Sequence, residues 1–354
     1  MSSTFGKRIT VTLFGESHGE SIGAVMQGLP AGLKLDFNEI SAFLLRRKAK
    51  NALTTARLEN DDFKIISGFY HEYTTGMPLT VRFENQNIHS EDYDFLKQAP
   101  RPGHADFPAA VRSDFHDDLR GGGHHSGRLT LPYCFCGAVA LQMLKNMGIE
   151  VVSHLSRIGT ICDDRIDPTV PDIDQIKSCY TKDIPMVNRD SENQARELLK
   201  DIITKGDSIG AQVECAVTGL PVGLGSPFFD SMESVISHAL FSIPGIKGVS
   251  FGDEAVYTEN GSAYNDCYQK GTAGLTCKTN HAGGIIGGYT NGMPMIVLAD
   301  FRPTASISKT QYTADWNGNP APFSITGRHD PCIALRALPA VESAAALTIL
   351  DFLQ

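Results

Sequence analysis

Two short blocks recur in the same order, and they limit the folds open to this chain more than any other feature. Ser21-Ile22-Gly23-Ala24, followed by Gly28-Leu29-Pro30 and Gly32-Leu33, returns as Ser208-Ile209-Gly210-Ala211, followed by Gly219-Leu220-Pro221 and Gly223-Leu224. Tyr73-Thr74-Thr75-Gly76-Met77-Pro78 returns as Tyr289-Thr290-Asn291-Gly292-Met293-Pro294. Gly-Leu-Pro and Gly-Met-Pro both suit turns, so a single match could be shared turn chemistry. Two matches in one order point instead to two related halves, about 1–150 and 151–354, inside a single domain spanning all 354 residues. The spacing is far too long for a solenoid. Strands separated by turns in each half, with helices grouped elsewhere, predict an α+β architecture with antiparallel sheets.

Local patterning fills in that outline. Residues 8–14 alternate and are β-branched, and 21–27 form a second strand closed by the Gly-Leu-Pro turn. Asp36 with Glu39 reads as a capping box opening a helix to about Arg47. Residues 48–61 read as a polar loop, and 63–67 and 79–83 as strands. The apolar run 129–146 is long enough for a buried helix, and 151–156 suits a strand. Ser191 and Gln194 cap an amphipathic helix that stops at Gly206. Strands follow near 211–218, 247–251 and 294–301, and a helix containing Pro339 spans 334–353.

Residues 101–128, RPGHADFPAAVRSDFHDDLRGGGHHSGR, are rich in Arg, His, Asp and Gly and have almost no aliphatic residues. Three consecutive glycines, Gly121 to Gly123, give up rigidity and burial, which favours a backbone that approaches something closely. Arg120 and Arg128 bracket them. An anionic ligand held by backbone N–H groups, hydroxyls and guanidinium groups suits this composition; a charged surface loop is the bland alternative. The formal net charge of −9 argues against nucleic acid, so basic clusters here point to a small anionic substrate. No apolar run is long enough to span a membrane, and the first residues lack a signal-peptide pattern. Eight scattered cysteines read as reduced thiols, which places the protein in the cytoplasm.

Gly15-Glu16-Ser17-His18-Gly19 matches the spacing of a hydrolase nucleophile elbow, but a strand follows where that motif needs a helix. In a strand, Ser17 and His18 would point to opposite faces. His18 remains a candidate proton donor or acceptor. His104 lies between Arg101, which could hold an anion, and Asp106, which could orient the ring. A metal site around His116, His124 and His125 is disfavoured, because no helical i, i+4 His pair forms and the arginines would repel a cation. Asn280 to Gly288 is a second glycine-rich turn without the dinucleotide fingerprint. Arg302-Pro303-Thr304-Ala305-Ser306 and Gly327-Arg328-His329-Asp330 each join a guanidinium to a turn. Together these turns suggest one site assembled from distant segments.

GESHG, RPGHADF, RGGGHHSGR, NHAGGIIGG, RPTASIS and GRHDPCIALRALPAVESA, in this order, resemble the motifs of chorismate synthases across nearly the whole chain. The resemblance implies a sandwich of two antiparallel β-sheets around a helical layer, assembled as a homotetramer. It implies anti-1,4-elimination of phosphate from 5-enolpyruvylshikimate 3-phosphate, a small phosphorylated substrate, with reduced FMN required although the reaction is redox-neutral. Carried over by motif, His18 would protonate the flavin, His104 would act as acid toward the departing phosphate, and Asp330 would assist uptake of the C6 proton. Ser17 would lie beside them. His124, His125, Ser126, Pro244, Gly245, Gly287, Arg302, Pro303, Thr304, Ala305, Ser306 and Arg328 would hold FMN, and Arg47, Arg128 and Arg328 the substrate. Whether NADPH reduces the flavin in place stays open. The chain departs from the family at His124-His125-Ser126-Gly127-Arg128, commonly Arg-Ser-Ser-Ala-Arg, and in the basic loop after Arg47. Pro244-Gly245 stands for Asn-Ala, and Arg302 for Lys. A ligand-binding paralogue without catalysis is the alternative; intact His18, His104 and Asp330 favour the enzyme, and the altered loop favours the binder.

Overall fold

The computed structural model describes residues 3–48, 53, 61–86, 95–96, 98–271, 274–325 and 330–354. Arg328 and most of the loop 48–61 therefore lie outside the described residues. Two five-stranded sheets carry the fold. The first contains β1 (Thr4–Phe5), β2 (Thr10–Gly15), β3 (Ser21–Gln27), β4 (Phe63–Ser67) and β5 (Leu79–Glu84) in the order β1-β2-β3-β5-β4, every pair antiparallel. The second contains β6 (Glu150–Ile158), β7 (Ile161–Cys162), β8 (Ala211–Thr218), β9 (Ile246–Phe251) and β10 (Met295–Phe301) in the order β7-β6-β8-β10-β9, again antiparallel. Without the short edge strands β1 and β7, the two orders are the same.

The sequence repeat occupies matching places in these sheets. In the first half the Thr74 hydroxyl donates to Pro30 O (2.6 Å) and accepts from Leu33 N (3.0 Å). In the second, the Thr290 hydroxyl donates to Pro221 O (2.6 Å) and accepts from Leu224 N (2.9 Å). Both threonines are buried. A hydroxyl that donates and accepts at once satisfies two backbone groups of a turn that water cannot reach. That is a physical reason for the threonine to recur with its turn.

Between the sheets lie α2 (Thr130–Asn146) and α3 (Leu338–Leu353), while α1 (Phe37–Leu45) packs one face on α2 and leaves the other exposed. α2 packs on the first sheet, α3 on the second, and the two run against each other. Both helices are buried on nearly every face, as a middle layer requires. They approach so closely that a Cβ on Gly137 would stand 2.0 Å from Ser343 Oγ. Truncating a leucine here would cost about 2–5 kcal/mol.

Three local expectations change. Asp36 caps α1 by accepting from Asn38 N and Glu39 N, but Glu39 reaches Lys145 instead of closing a capping box. The amphipathic helix starts at Arg189, not Ser191; Asn188 caps it, and Ser191 Oγ instead donates to Cys162 O. The last helix begins at Leu338, with Pro339 in its first turn, where the missing N–H is not needed; residues 333–336 form a separate 3₁₀ turn.

Candidate active site

The three glycines form the hinge of the site. Gly121, Gly122 and Gly123 all have positive φ (62°, 87° and 53°), a region that side-chain-bearing residues avoid. A Cβ on Gly121 would lie 2.3 Å from the His18 ring and 2.8 Å from Ser17 Oγ. A Cβ on Gly122 would lie 3.0 Å from His104 Cε1 and 3.2 Å from its Nε2. One bare stretch of backbone thus lies against both imidazoles. Ser17 and His18 do not point apart as strand residues would. β2 ends at Gly15, the chain turns, and both side chains meet Gly121. Gly123 O accepts from Ser17 N (3.1 Å), which ties the two turns together.

His104 is anchored from behind. Its Nδ1 lies 2.7 Å from Asp106 Oδ1, and Asp106 takes three further hydrogen bonds from Arg101, through Nε and NH2 (2.7 Å each) and the backbone N (3.0 Å). Burial alone would raise the Asp106 carboxyl, but the hydrogen bonds from Arg101 and His104 outweigh it and hold the group well below the usual carboxylate range. An ionised carboxylate wants a donor, so Nδ1 carries the proton, and Nε2, the nitrogen beside Gly122, is presented to the site. Arg101 NH2, 3.0 Å from Nδ1, closes the triangle through the shared Asp106 oxygen.

The other turns converge from the second half of the chain. Gly103 lies against Arg302, whose NH1 is 3.5 Å from where its Cβ would be, and against Ala305 (3.9 Å). Arg302 N donates to Gly245 O (2.9 Å), which fixes Pro244-Gly245 beside the same turn. Thr304 Oγ1 donates to Asp330 O (2.7 Å), and Ser208 Oγ donates to Thr304 O (2.8 Å). The Asp330 carboxylate accepts from Arg336 NH1 (2.9 Å), and Arg336 Nε donates to Arg47 O (2.6 Å). Arg47 then donates to Thr130 Oγ1 (2.7 Å) at the start of α2. Arg336, Thr130 and Ser208 are participants that the sequence reading missed, although Arg336 sits inside one of its motifs.

The arginines fall into two groups. Arg46 is bidentate to Glu342 (2.7 and 2.6 Å) and stacks on Tyr180, Arg101 pairs with Asp106, Arg120 with Asp118, Arg128 with Asp61, and Arg336 with Asp330. Arg47 is buried and Arg302 half-buried, yet neither makes an ion pair among the described residues. Burial draws down the pKa of both; for Arg47 the Arg336 and Arg128 charges add to it, while Cys134 and the Asp61 carboxylate oppose it. A desolvated guanidinium without a counter-ion is unfavourable, and an anionic ligand would relieve it.

His124 and His125 sit at a cavity of about 320 Å³ that Phe14, Glu16 and Asp117 also line. His124 Nδ1 donates to Gly15 O (2.8 Å), and Nε2 meets the Ser3 hydroxyl (2.8 Å), so its ring is held against the end of β2. Burial pulls the His125 pKa down against the opposing charge of Asp117. Ser126 Oγ accepts from Arg128 N (3.3 Å). Gly287 sits at the tip of a hairpin, Ile285–Ile286 with Tyr289–Thr290, and no described contact joins it to the histidines. Asn280 braces that second glycine-rich turn through Pro168 O, Pro294 O and Gly284 N.

Comparison with known proteins settles what family carries this arrangement. The chorismate synthase family model matches residues 9–354. The chain belongs to the chorismate synthase family. It is 42% identical to a chorismate synthase of Chitinophaga pinensis over 353 residues, covering 99% of this chain and 96% of the relative. It is 39% identical to one from Korarchaeum cryptofilum over 350 residues, covering 98% and 96%. A solved crystal structure of chorismate synthase superposes with a TM-score of 0.76 at 23% identity, covering 98% of this chain and 92% of the other, which establishes the shared fold. Membership makes the chain a carbon–oxygen lyase, an enzyme acting on a small molecule. Among the described residues no helix is long and apolar enough to cross a membrane.

Proposed function

We propose that the chain converts 5-enolpyruvylshikimate 3-phosphate into chorismate by anti-1,4-elimination of phosphate, with reduced FMN bound beside the substrate. The observation that carries this reading is that two imidazoles, His18 and His104, meet one glycine turn, while Arg302, a half-buried cation with no ion pair among the described residues, lies against Gly103 next to His104. Loss of a phosphate needs positive charge where the anion accumulates and a proton as the bond breaks. Arg47 supplies the charge on the substrate side. To act as the acid, His104 would carry a second proton on Nε2, and the ionised Asp106 behind Nδ1 would stabilise that imidazolium. Arg128, paired with Asp61, contributes long-range charge, and Arg328 would add another guanidinium.

The residues at hand also fit a flavin phosphate. Arg302 is a half-buried cation with no ion pair among the described residues, on a turn braced by Gly245 O and Asp330 O, with Pro303, Ala305 and Ser306 completing it. The acidic lining of the cavity at Glu16 and Asp117 would reject a phosphate, so Arg302 and not His124 would take the anionic end. Reduced FMN, held at its phosphate end by Arg302, would supply electron density for the elimination. His18, 5% exposed and fixed beside Gly121, would move a proton there, and the Asp330–Arg336 pair braces the Thr304 turn that carries Arg302.

In this reading the protein acts in the cytoplasm as a homotetramer built from two related halves. Phe228 and Phe229, 85% and 93% exposed, are the kind of surface a subunit interface covers. The test is anaerobic incubation with reduced FMN and 5-enolpyruvylshikimate 3-phosphate while chorismate absorbance is followed. Chorismate should form only with reduced flavin. Tight flavin binding with no chorismate under any condition would leave a ligand-binding paralogue.

A further inference from the structure

Asn85 follows β5 directly and belongs to none of the motifs above. Its side-chain Nδ2 donates to Glu16 O (3.0 Å) and to Gly19 O (2.9 Å), the carbonyls at the two ends of the turn that carries His18. Its backbone N donates to Glu20 O (3.1 Å). Its Oδ1 accepts from Arg128 Nε (3.4 Å), and Arg128 NH1 donates to Asp61 (2.7 Å). Two carbonyls on one end of the amide and a guanidinium on the other admit a single orientation, with NH₂ toward the turn. The turn between those carbonyls holds His18 against Gly121, where a Cβ would come within 2.3 Å of the ring. There is no slack for the ring to shift toward the glycines.

We propose that Asn85 is a positioning residue for His18, and that Arg128, oriented by Asp61, acts in this site by fixing the Asn85 amide. The proposal rests on the functional reading above. A carboxylate at this position would keep the contact to Arg128 but set an oxygen against two carbonyl oxygens, opening the turn. Loss of the amide altogether would leave both carbonyls to water. Either change moves the imidazole and leaves Arg47 and Arg302 untouched, while Asp61 still holds Arg128.

The test is a double-mutant cycle with a spectroscopic control. Asn85→Ala should lower kcat about 10-fold to 10²-fold, as expected for a displacement near 1 Å, with KM within about twofold. In a His18→Ala background the same substitution should have no further effect, because the residue it positions is gone. An equal loss in both backgrounds, or no loss in either, overturns the proposal. Asn85→Asp, which preserves shape, guards against an unstable alanine variant. Histidine NMR of the free protein needs no turnover: Asn85→Asp should shift the His18 ring signals and their titration while those of His104 stay in place. Unchanged His18 signals, or equal shifts in both histidines, refute the positioning role. If wild type makes no chorismate but His18 alone shifts, the positioning stands and the functional reading fails.

Discussion

Gly121→Ala probes the hinge of the site. The new methyl carbon would sit 2.3 Å from His18 Cδ2, 2.6 Å from Nε2 and 2.8 Å from Ser17 Oγ. Ordinary carbon contacts begin near 3.5 Å, so ring or turn must give way by about an ångström. The backbone angle, φ 62° and ψ 9°, lies in the left-handed region and costs an alanine about 1–2 kcal/mol. That is a small part of a domain's stability, so the protein should still fold, with its melting temperature lowered by a few degrees. An ångström at a proton-transferring ring is worth about 10²-fold in turnover. Gly127→Ala, in the same run, is the control, since its Cβ would meet nothing within 4 Å. Anaerobic chorismate formation and thermal melts on both variants are the assay. A folded Gly121→Ala variant within about threefold of wild type, where mispositioning predicts a far larger loss, would show that the glycine turn does not set the ring.

Arg302→Ala should weaken FMN binding about tenfold or more, as loss of a charge-assisted contact implies, and flatten its salt dependence; unchanged flavin titrations at low and high salt would move the phosphate elsewhere. Asp106→Asn removes the buried charge that Arg101 and His104 both face and should cost about 3–5 kcal/mol at neutral pH. Because the carboxyl is held low in the folded state, its stabilisation exists above the unfolded value near 3.9 and disappears as pH falls through the folded one, so urea melts of variant and wild type should converge in acid. His154, fully buried between Asp163 and Glu214 at 3.0 Å each, behaves oppositely. Burial lowers its pKa, but the two carboxylates outweigh that and raise it, so its contribution is complete below about pH 6.5 and is lost as pH rises through the raised folded value. His154→Asn should therefore destabilise most at low pH, and a gap that widens with rising pH would contradict the assignment.

Much of this was legible in the sequence because it is local. The repeat located both sheets, since Gly-Leu-Pro and its threonine make the same turn in each half. The unbroken apolarity of 129–146 revealed a helix buried on all sides. Asp36 announced α1 correctly, whereas the cap at Asn188 was assigned three residues late, because Ser191 is an equally good cap by type and only its bond to Cys162 O excludes it. The histidines and Asp330 were legible through motif resemblance. The pairing of arginines was not. Arg46 and Arg47 are adjacent, yet one is locked to Glu342 and the other faces Thr130, a distinction set by residues 296 and 83 positions away. Asn85 carried no signal at all, since its role depends on a turn 66 residues earlier.

In the proposed reaction, phosphate leaves at the place where His104 meets the glycine turn. Single-turnover measurement of inorganic phosphate release and chorismate appearance, under anaerobic conditions with reduced FMN, tests it most directly. In wild type the two products should appear together in equal amounts, and in His104→Ala both should slow by about 10²-fold or more, as for a lost general acid, while flavin still binds. Chorismate formed by His104→Ala at the wild-type rate, or phosphate released without chorismate, would contradict the account.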